Sequence, residues 1–370
     1  MMNFNEKIVF KKFLSDNTYF FLLSATSLSL IVWIIQAVNF LDFISEDGHS
    51  FDIYFYFTAL NFPKIFKNIL PIVFFISLFY TISKYEENNE LKIFWINGIN
   101  KIKFSNVLIK YTFLFFLLQI FLSSLLSPAL QSQARSYLKD SNMDFFPSLM
   151  QEKKFIDTVD KLTIFIENKK SPEEFENIFL KDDMATDKSQ IIFAKKGYLK
   201  EIDGTRKLIL FDGKFLNSDE KKATVFNFSQ TEFDLSNYLT KSITHPKVQE
   251  LSTNFLISCN YSFYIDKIKE KFYKYKNNDI LCNQSYVKEI NQELFDRLIK
   301  PIYLFLITIV ACFLLTKYKE THKYKLYKSY IFYFGIIIII FSEMSVNYVG
   351  KNLTNTITFY TLPLILIFFS

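Results

Sequence analysis

The chain has little of what most enzyme sites are built from. Its 370 residues include three cysteines and three histidines. His49, His245 and His322 lie far apart with no ligand spacing around them, so no metal site is expected. There is no G-x-x-x-x-G-K-[ST] loop, no G-x-G-x-x-G and no nucleophile elbow, so the chain has no evident means of hydrolysing ATP. Seven glycines and eight prolines exclude collagenous and low-complexity classes. The carboxylate pairs Glu86-Glu87 and Asp182-Asp183 sit in charged runs, where a solvated face is the expected role. Nothing in these absences points to catalysis.

What is abundant is apolar. Hydrophobic residues make up 50% and aromatics 19%, with a mean hydropathy of +0.13. That value is high for a soluble protein and low for a pure helical bundle; it fits a membrane domain joined to a sizeable soluble one. Residues 136–288 contain no segment long and apolar enough to cross a bilayer, whereas such segments lie on both sides. Residues 19–41, 62–83 and 111–127 are the expected first three spans, the third running out at Pro128. Residues 301–316, 330–349 and 356–369 are the next three, and residues 289–300 form a charged approach to the fourth. The domains expected are residues 1–135, 136–288 and 289–370.

Lysine distribution fixes the expected orientation better than the net charge of +6. The N-terminus (Lys7, Lys11, Lys12), the loop at 84–103 and the loop at 317–328 (KYKETHKYKLYK) are basic, and the loops after spans one and five are not. By the positive-inside rule the basic loops are cytoplasmic, both termini lie inside and the middle region lies outside. Cys259 and Cys282 fall in that middle region and can pair if it is extracytoplasmic, although two cysteines are too few for a framework. Cys312 sits in an apolar segment as a small core residue.

The middle region reads as β-structure. In residues 161–167 (KLTIFIE), Leu162, Ile164 and Ile166 alternate with Thr163, Phe165 and Glu167, giving two distinct faces. Residues 190–194, 198–202, 207–211 and 224–228 are similar runs. Lys196-Gly197, Asp203-Gly204 and Asp212-Gly213 are read as turns between them, because such dipeptides tolerate positive φ. Strands at this spacing suggest a meander within a sandwich or jelly roll.

Two further features stand out. Glu343 is the only acidic residue inside the spans, and an intramembrane carboxylate is a functional candidate by default, here near interfacial water. In residues 86–97 (EENNELKIFWIN), Leu91, Phe94 and Trp95 share one helical face and Gly98 supplies a stop. The result is a short amphipathic helix between two spans. It lies on the membrane or docks into a partner ATPase, with Glu90 at the contact.

Three stretches carry a family resemblance. Residues 85–100 (YEENNELKIFWINGIN), residues 190–197 (QIIFAKKG) with 208–213 (LILFDG), and residues 289–301 (EINQELFDRLIKP) each resemble segments of the lipopolysaccharide export permeases LptF and LptG, formerly YjgP/YjgQ. The arrangement of three spans, a β-insert and three spans resembles the family over nearly the whole chain. Residues 31–43 (IVWIIQAVNFLDF) are closer to the LptF side, since span one has no lysine near its outer end.

The resemblance implies a membrane α-helical protein, six helices in a 3+3 arrangement, with a periplasmic β-jelly-roll domain between helices 3 and 4. It implies a heterodimer with an LptG-like permease on an LptB-like ATPase dimer, with ATP on that partner and no cofactor on this chain. Lipopolysaccharide would pass from the inner membrane through the β-domain towards LptC/LptA-like periplasmic proteins. Headgroup phosphates would call for cations, with Arg135, Lys64, Lys67, Arg297 and Lys300 as candidates. Leu162, Ile164 and Ile166 would face acyl chains. Glu90, Leu91, Phe94, Trp95 and Gly98 would form the coupling segment. Two other classes stay open: an ATPase-independent secondary transporter with Glu343 as its proton-linked group, and a membrane-anchored receptor or assembly factor.

Overall fold

The structure, a computed structural model, describes residues 4–41, 51–150, 152–159, 162–171, 173–185, 188–202, 205–219, 222–235, 247–266, 282 and 284–369. The acidic stretch after span one, residues 42–50, lies outside them. The chain forms two compact units, one of Met1–Ile34, Asn61–Ser132 and Lys247–Ser370, the other of Ile35–Leu60 and Gln133–Pro246.

Helices occur in the order α1 (Phe4–Asn39), α2 (Phe51–Leu60), α3 (Phe62–Glu87), α4 (Leu91–Ile96), α5 (Lys101–Phe121) and α6 (Ser127–Leu149). After the strands come α7 (Thr253–Asp266), α8 (Val287–Leu294), α9 (Tyr303–Cys312), α10 (Tyr324–Tyr348) and α11 (Leu353–Phe369). Five helical stretches are long and apolar enough to cross a membrane: Glu6–Asn39, Phe51–Glu87, Lys101–Leu138, Val287–Thr316 and Tyr324–Tyr348. A shorter apolar helix, Thr354–Phe368, follows them.

The third span does not run out at Pro128. The helix continues through it, because a π-turn at Leu122–Leu126 precedes it. Widening the turn there accommodates a residue that has no N–H and whose ring crowds the carbonyl four residues back. A second π-turn, Phe295–Ile299, separates α8 from α9.

Packing in the helical unit rests on rings and on a few polar contacts. Phe10, Phe13, Phe74, Phe94, Phe104 and Phe115 are all buried. Lipid tails are as apolar as leucine, so burial alone gives helices in a bilayer little reason to associate; close packing and interhelical hydrogen bonds must do it. Asn17 of α1 supplies one such node. Its Oδ1 accepts from Ser77 Oγ at 2.9 Å and Thr81 Oγ1 at 3.1 Å, and its Nδ2 donates to Tyr111 Oη at 3.1 Å. The node ties α1, α3 and α5 together, and a Thr112–Thr308 hydroxyl pair at 2.8 Å ties α5 to α9.

The second unit holds a six-stranded antiparallel sheet, β1 (Phe155–Val159), β2 (Leu162–Ser171), β3 (Glu174–Ala185), β4 (Lys188–Ile202), β5 (Thr205–Asp219) and β6 (Lys222–Asp234). Neighbours in sequence are neighbours in the sheet throughout. The meander expectation holds, and the crossovers of a jelly roll do not occur among these strands. The reason is the tight links between them: Ile202 pairs with Thr205 and Asp219 with Lys222, which leaves no chain for a crossover.

Two of the three expected turns are corrected. Asp203-Gly204 falls outside the described residues, while Lys196-Gly197 is inside β4 and Asp212-Gly213 is inside β5. Those glycines are sites of close approach. A Cβ at Gly197 would strike the Ile178 side chain, and one at Gly213 would strike the Phe228 ring and the Phe193 carbonyl. The region also holds helix: α6 extends to Leu149 and α7 follows the sheet.

One row runs straight across all six strands: Ile156, Ile164, Leu180, Ile192, Phe215 and Phe226 are successive register partners. Ile156, Ile164, Leu180 and Ile192 are buried, Phe215 is half-buried, and Phe226 on β6 is 57% exposed. The apolar face is therefore closed at one end and open at the other.

Asn17→Leu should remove the node shared by α1, α3 and α5 and strand Ser77 and Thr81 in an apolar setting. A loss of about 1–3 kcal/mol is expected. Thermal unfolding of the purified chain in detergent checks it, and a midpoint equal to wild type would show that the node contributes nothing.

Candidate functional site

Four of the five predicted headgroup cations come together in the helical unit, around the π-turn before α9. That turn, a charged stretch in an otherwise apolar span, presents Asp296 and Arg297. Asp296 is shared: Lys67 Nζ of α3 donates to Oδ2 and Lys300 Nζ to Oδ1, each at 2.8 Å. Lys300 also donates to Glu343 of α10 at 2.8 Å. Side-chain exposures of 8% for Lys67, 7% for Lys300 and 18% for Asp296 mark this as a buried network, with Glu343 at its 51% exposed end. It links α3, the π-turn and α10.

Three of these cations already have acidic partners within the chain. Arg297 is fully buried. Its Nε donates to Glu293 at 2.8 Å, one terminal nitrogen to the Leu251 carbonyl and Thr253 Oγ1, both at 2.9 Å, and the other to the Gln249 carbonyl at 3.0 Å. A guanidinium so engaged, with four of its five N–H groups donating, fastens residues 249–253 to the π-turn. Lys67 and Lys300 are neutralised by Asp296 and Glu343. Lys64 differs: its partner is the neutral Gln249 side chain, so its charge is not cancelled by that bond. Arg135 lies on α6 in the other unit and is half-buried.

Glu343 is thus an ion-pair partner, which answers why a carboxylate is tolerated in that span. The sequence reading missed Asp296 because it sits one residue from an arginine in an apparently solvated charged stretch. The signal that could have found it is the i, i+4 spacing of Asp296 and Lys300.

The expected helix over 86–97 is shorter than predicted. Glu86 and Glu87 end α3, a tight turn follows with Asn89 at φ 61°, and α4 spans Leu91–Ile96. Glu90 is its N-cap position and its carboxylate accepts from Asn88 Nδ2 at 3.0 Å. Leu91 and Phe94 are buried in the bundle, where the Phe94 ring meets Phe10 and Phe104 at centroid distances of 5.3 and 5.1 Å. Trp95 is half-buried against the same core. These three anchor the helix to its own chain. Gly98, at φ 77°, turns the backbone so that Ile99 can re-enter the core. The outward side carries Lys92, Ile93, Ile96 and Asn97, with Ile96 85% exposed, and Glu90 is half-buried at its start.

In the sheet, Leu162, Ile164 and Ile166 are buried by their own unit. Cys259 of α7 is bonded to Cys282 with Cα atoms 5.8 Å apart, an ordinary span for a disulfide. Among the described residues no cluster of three or more His, Cys, Asp or Glu is arranged to hold a metal ion.

Asp296→Asn should leave two buried ammonium groups without their shared counter-charge, a loss of about 3–5 kcal/mol. Glu343→Gln should cost much less, since that carboxylate is half exposed. Yield and thermal midpoint of the two variants in detergent test the ordering; equal effects would refute the central role given to Asp296.

Comparison with known proteins places this geometry. A protein of Rickettsia prowazekii (strain Madrid E), named Uncharacterized protein RP871, is 22% identical over 317 residues, covering 85% of this chain and 84% of that one. Residues 12–370 match the family described as Lipopolysaccharide export system permease LptF/LptG. That match takes in the helices on both sides, the charged π-turn, α4 and the whole six-stranded sheet, so this chain belongs to the LptF/LptG family of lipopolysaccharide export permeases.

Proposed function

We propose that the chain is the non-catalytic permease subunit of an ATP-driven lipopolysaccharide exporter of the bacterial inner membrane. It pairs with a second, LptG-like permease, and an LptB-like ATPase dimer hydrolyses ATP beneath the pair. The β-domain faces the periplasm and hands lipid towards LptC/LptA-like proteins. Family membership together with a sheet that carries an apolar row open at one end supports this reading. The absence of a basic residue after Tyr19 in span one favours the LptF side.

Force transfer needs a rigid lever. α4 fits, because Leu91 and Phe94 lock it to α1 and α5 while Ile93 and Ile96 remain free to meet the ATPase. An exposed isoleucine is an unfavourable surface residue with no partner in its own chain, and a suitable anchor in a partner's pocket. Movement imposed at α4 is passed directly to the helices it packs on.

On the lipid side, acyl chains enter the sheet at its open end, by Phe226, Phe228 and Phe215, and displace the packing around Ile164 only when they move inward. Lys64 and Arg135 remain the candidates for headgroup phosphates. A secondary-transporter reading would rest on Glu343, which pairs with Lys300.

Two outcomes test the proposal. Ile96→Asp should weaken co-purification with the ATPase on the order of tenfold or more, with an unchanged thermal midpoint. Leu91→Ala, by contrast, should lower the midpoint by about 2–5 kcal/mol of stability. Undiminished ATPase capture by the Ile96→Asp variant would remove the coupling role. A photo-crosslinker at 226 should capture lipopolysaccharide in membranes without ATP, and one at 164 only during turnover; protein adducts alone at both positions would favour a receptor.

A further inference from the structure

The basic loop before α10 is not used by the reading above. Glu87 and residues between Lys319 and Lys328 line an open pocket of about 670 Å3, whose cationic side chains are Lys319, Lys323, Lys325 and Lys328. The local acidic groups are engaged. Glu87 pairs with Lys328 at 2.7 Å, Glu320 pairs with Lys92 at 3.1 Å, and Glu86 accepts from the Lys319 backbone N–H at 2.9 Å. Among the described residues Lys323 and Lys325 carry no ion pair, so the cavity retains positive charge that its own walls do not cancel. Tyr324 lines the same cavity. It is only 7% exposed, and its hydroxyl has no hydrogen-bond partner among the described residues. That hydroxyl is shut off from solvent and the charges acting on it are the Glu86 and Glu87 carboxylates, so the lysines alone make the pocket attractive to an anion.

The next turns of α10 carry the complement. Tyr327, Tyr330, Phe334 and Ile337 line, with Phe313, an open groove of about 430 Å3 whose surface is nearly all apolar. Tyr330 is 70% exposed, so none of the described residues covers it. The cationic cavity and the apolar groove therefore follow one another along a single helix. That sequence of charge and then hydrocarbon is the profile of a membrane lipid with an anionic headgroup, and basic pockets beside spanning helices recognise such headgroups.

We propose that residues 319–337 form a binding site for an acidic glycerophospholipid of the leaflet at this end of the bundle, its phosphate held by Lys323 and Lys325 and one acyl chain lying along Tyr330, Phe334 and Ile337. The site is independent of the lipid exported. It makes the seating of α10 sensitive to the acidic lipid content of the membrane.

The test uses the full chain in detergent with three probes: dioleoyl phosphatidylglycerol, dioleoyl phosphatidylcholine and soluble glycerol phosphate. Wild type should retain and be thermally stabilised by phosphatidylglycerol in preference to phosphatidylcholine, less so as salt is raised. The double variant Lys323→Gln, Lys325→Gln should weaken that binding about 25-fold, roughly fivefold per lysine. Its midpoint in phosphatidylcholine should match wild type, and Lys325→Gln alone gives the same reading at about fivefold if the double variant folds poorly. Equal binding of the two lipids, an unchanged preference in the variants, or full competition by glycerol phosphate at lipid concentrations would each overturn the site; the last would assign the cavity to a free anion.

Discussion

Asp296 is a single carboxylate answering two ammonium groups in a place where water is scarce. Remove it and Lys67 and Lys300 repel each other inside the bundle; keep it and three separate stretches of helix are held to one point. In a bilayer the hydrophobic effect does not choose which helices touch, so such directed contacts carry more of the architecture than in a soluble protein. Arg297, one residue on, repeats the logic: Glu293 balances its charge, and three further donated bonds to neutral acceptors fix residues 249–253, the return of the chain from the β-domain. The π-turn that presents both residues is thus where the membrane unit is organised.

Much of this was legible beforehand. Long charge-free runs announce spanning helices because no other structure satisfies a backbone in hydrocarbon. Strict alternation at Leu162, Ile164 and Ile166 announced a strand with one buried face. The errors have a common origin, which is that local chemistry was read without its neighbours. Gly213 follows an aspartate and looks like a hairpin, but a ring and a carbonyl across the sheet require glycine there. Pro128 looks like a stop, but a wide turn upstream absorbs it. Residues 174–185 are rich in charge and were not read as β3, though the register pairs them with apolar strands on both sides.

The candidate site was less legible than the fold. Periodicity found the apolar face of α4 and assigned it to a partner, whereas burial shows that face turned towards Phe10 and Phe104. The outward residues, Ile93 and Ile96, were passed over because a single exposed isoleucine carries no periodic signal. Likewise, charge type can nominate Lys67, Lys300 and Arg297 as ligands for phosphate, but only the coordinates show the carboxylates that already balance them. A cation near a membrane surface is informative only once its counter-ions are known.

The two wide turns have a geometric effect beyond accommodating a proline. Each inserts one extra residue into its helix, and one residue of α-helix is worth about 100° of rotation. Stripes of side chains before and after Leu122–Leu126, or before and after Phe295–Ile299, are therefore out of phase by roughly that angle. One continuous rod can turn one side to its own core on the near half and a different side on the far half. Shortening either segment by a single residue would rotate everything beyond it, and Arg297 or Ser123, whose hydroxyl meets the Arg297 carbonyl at 2.9 Å, would face the wrong way.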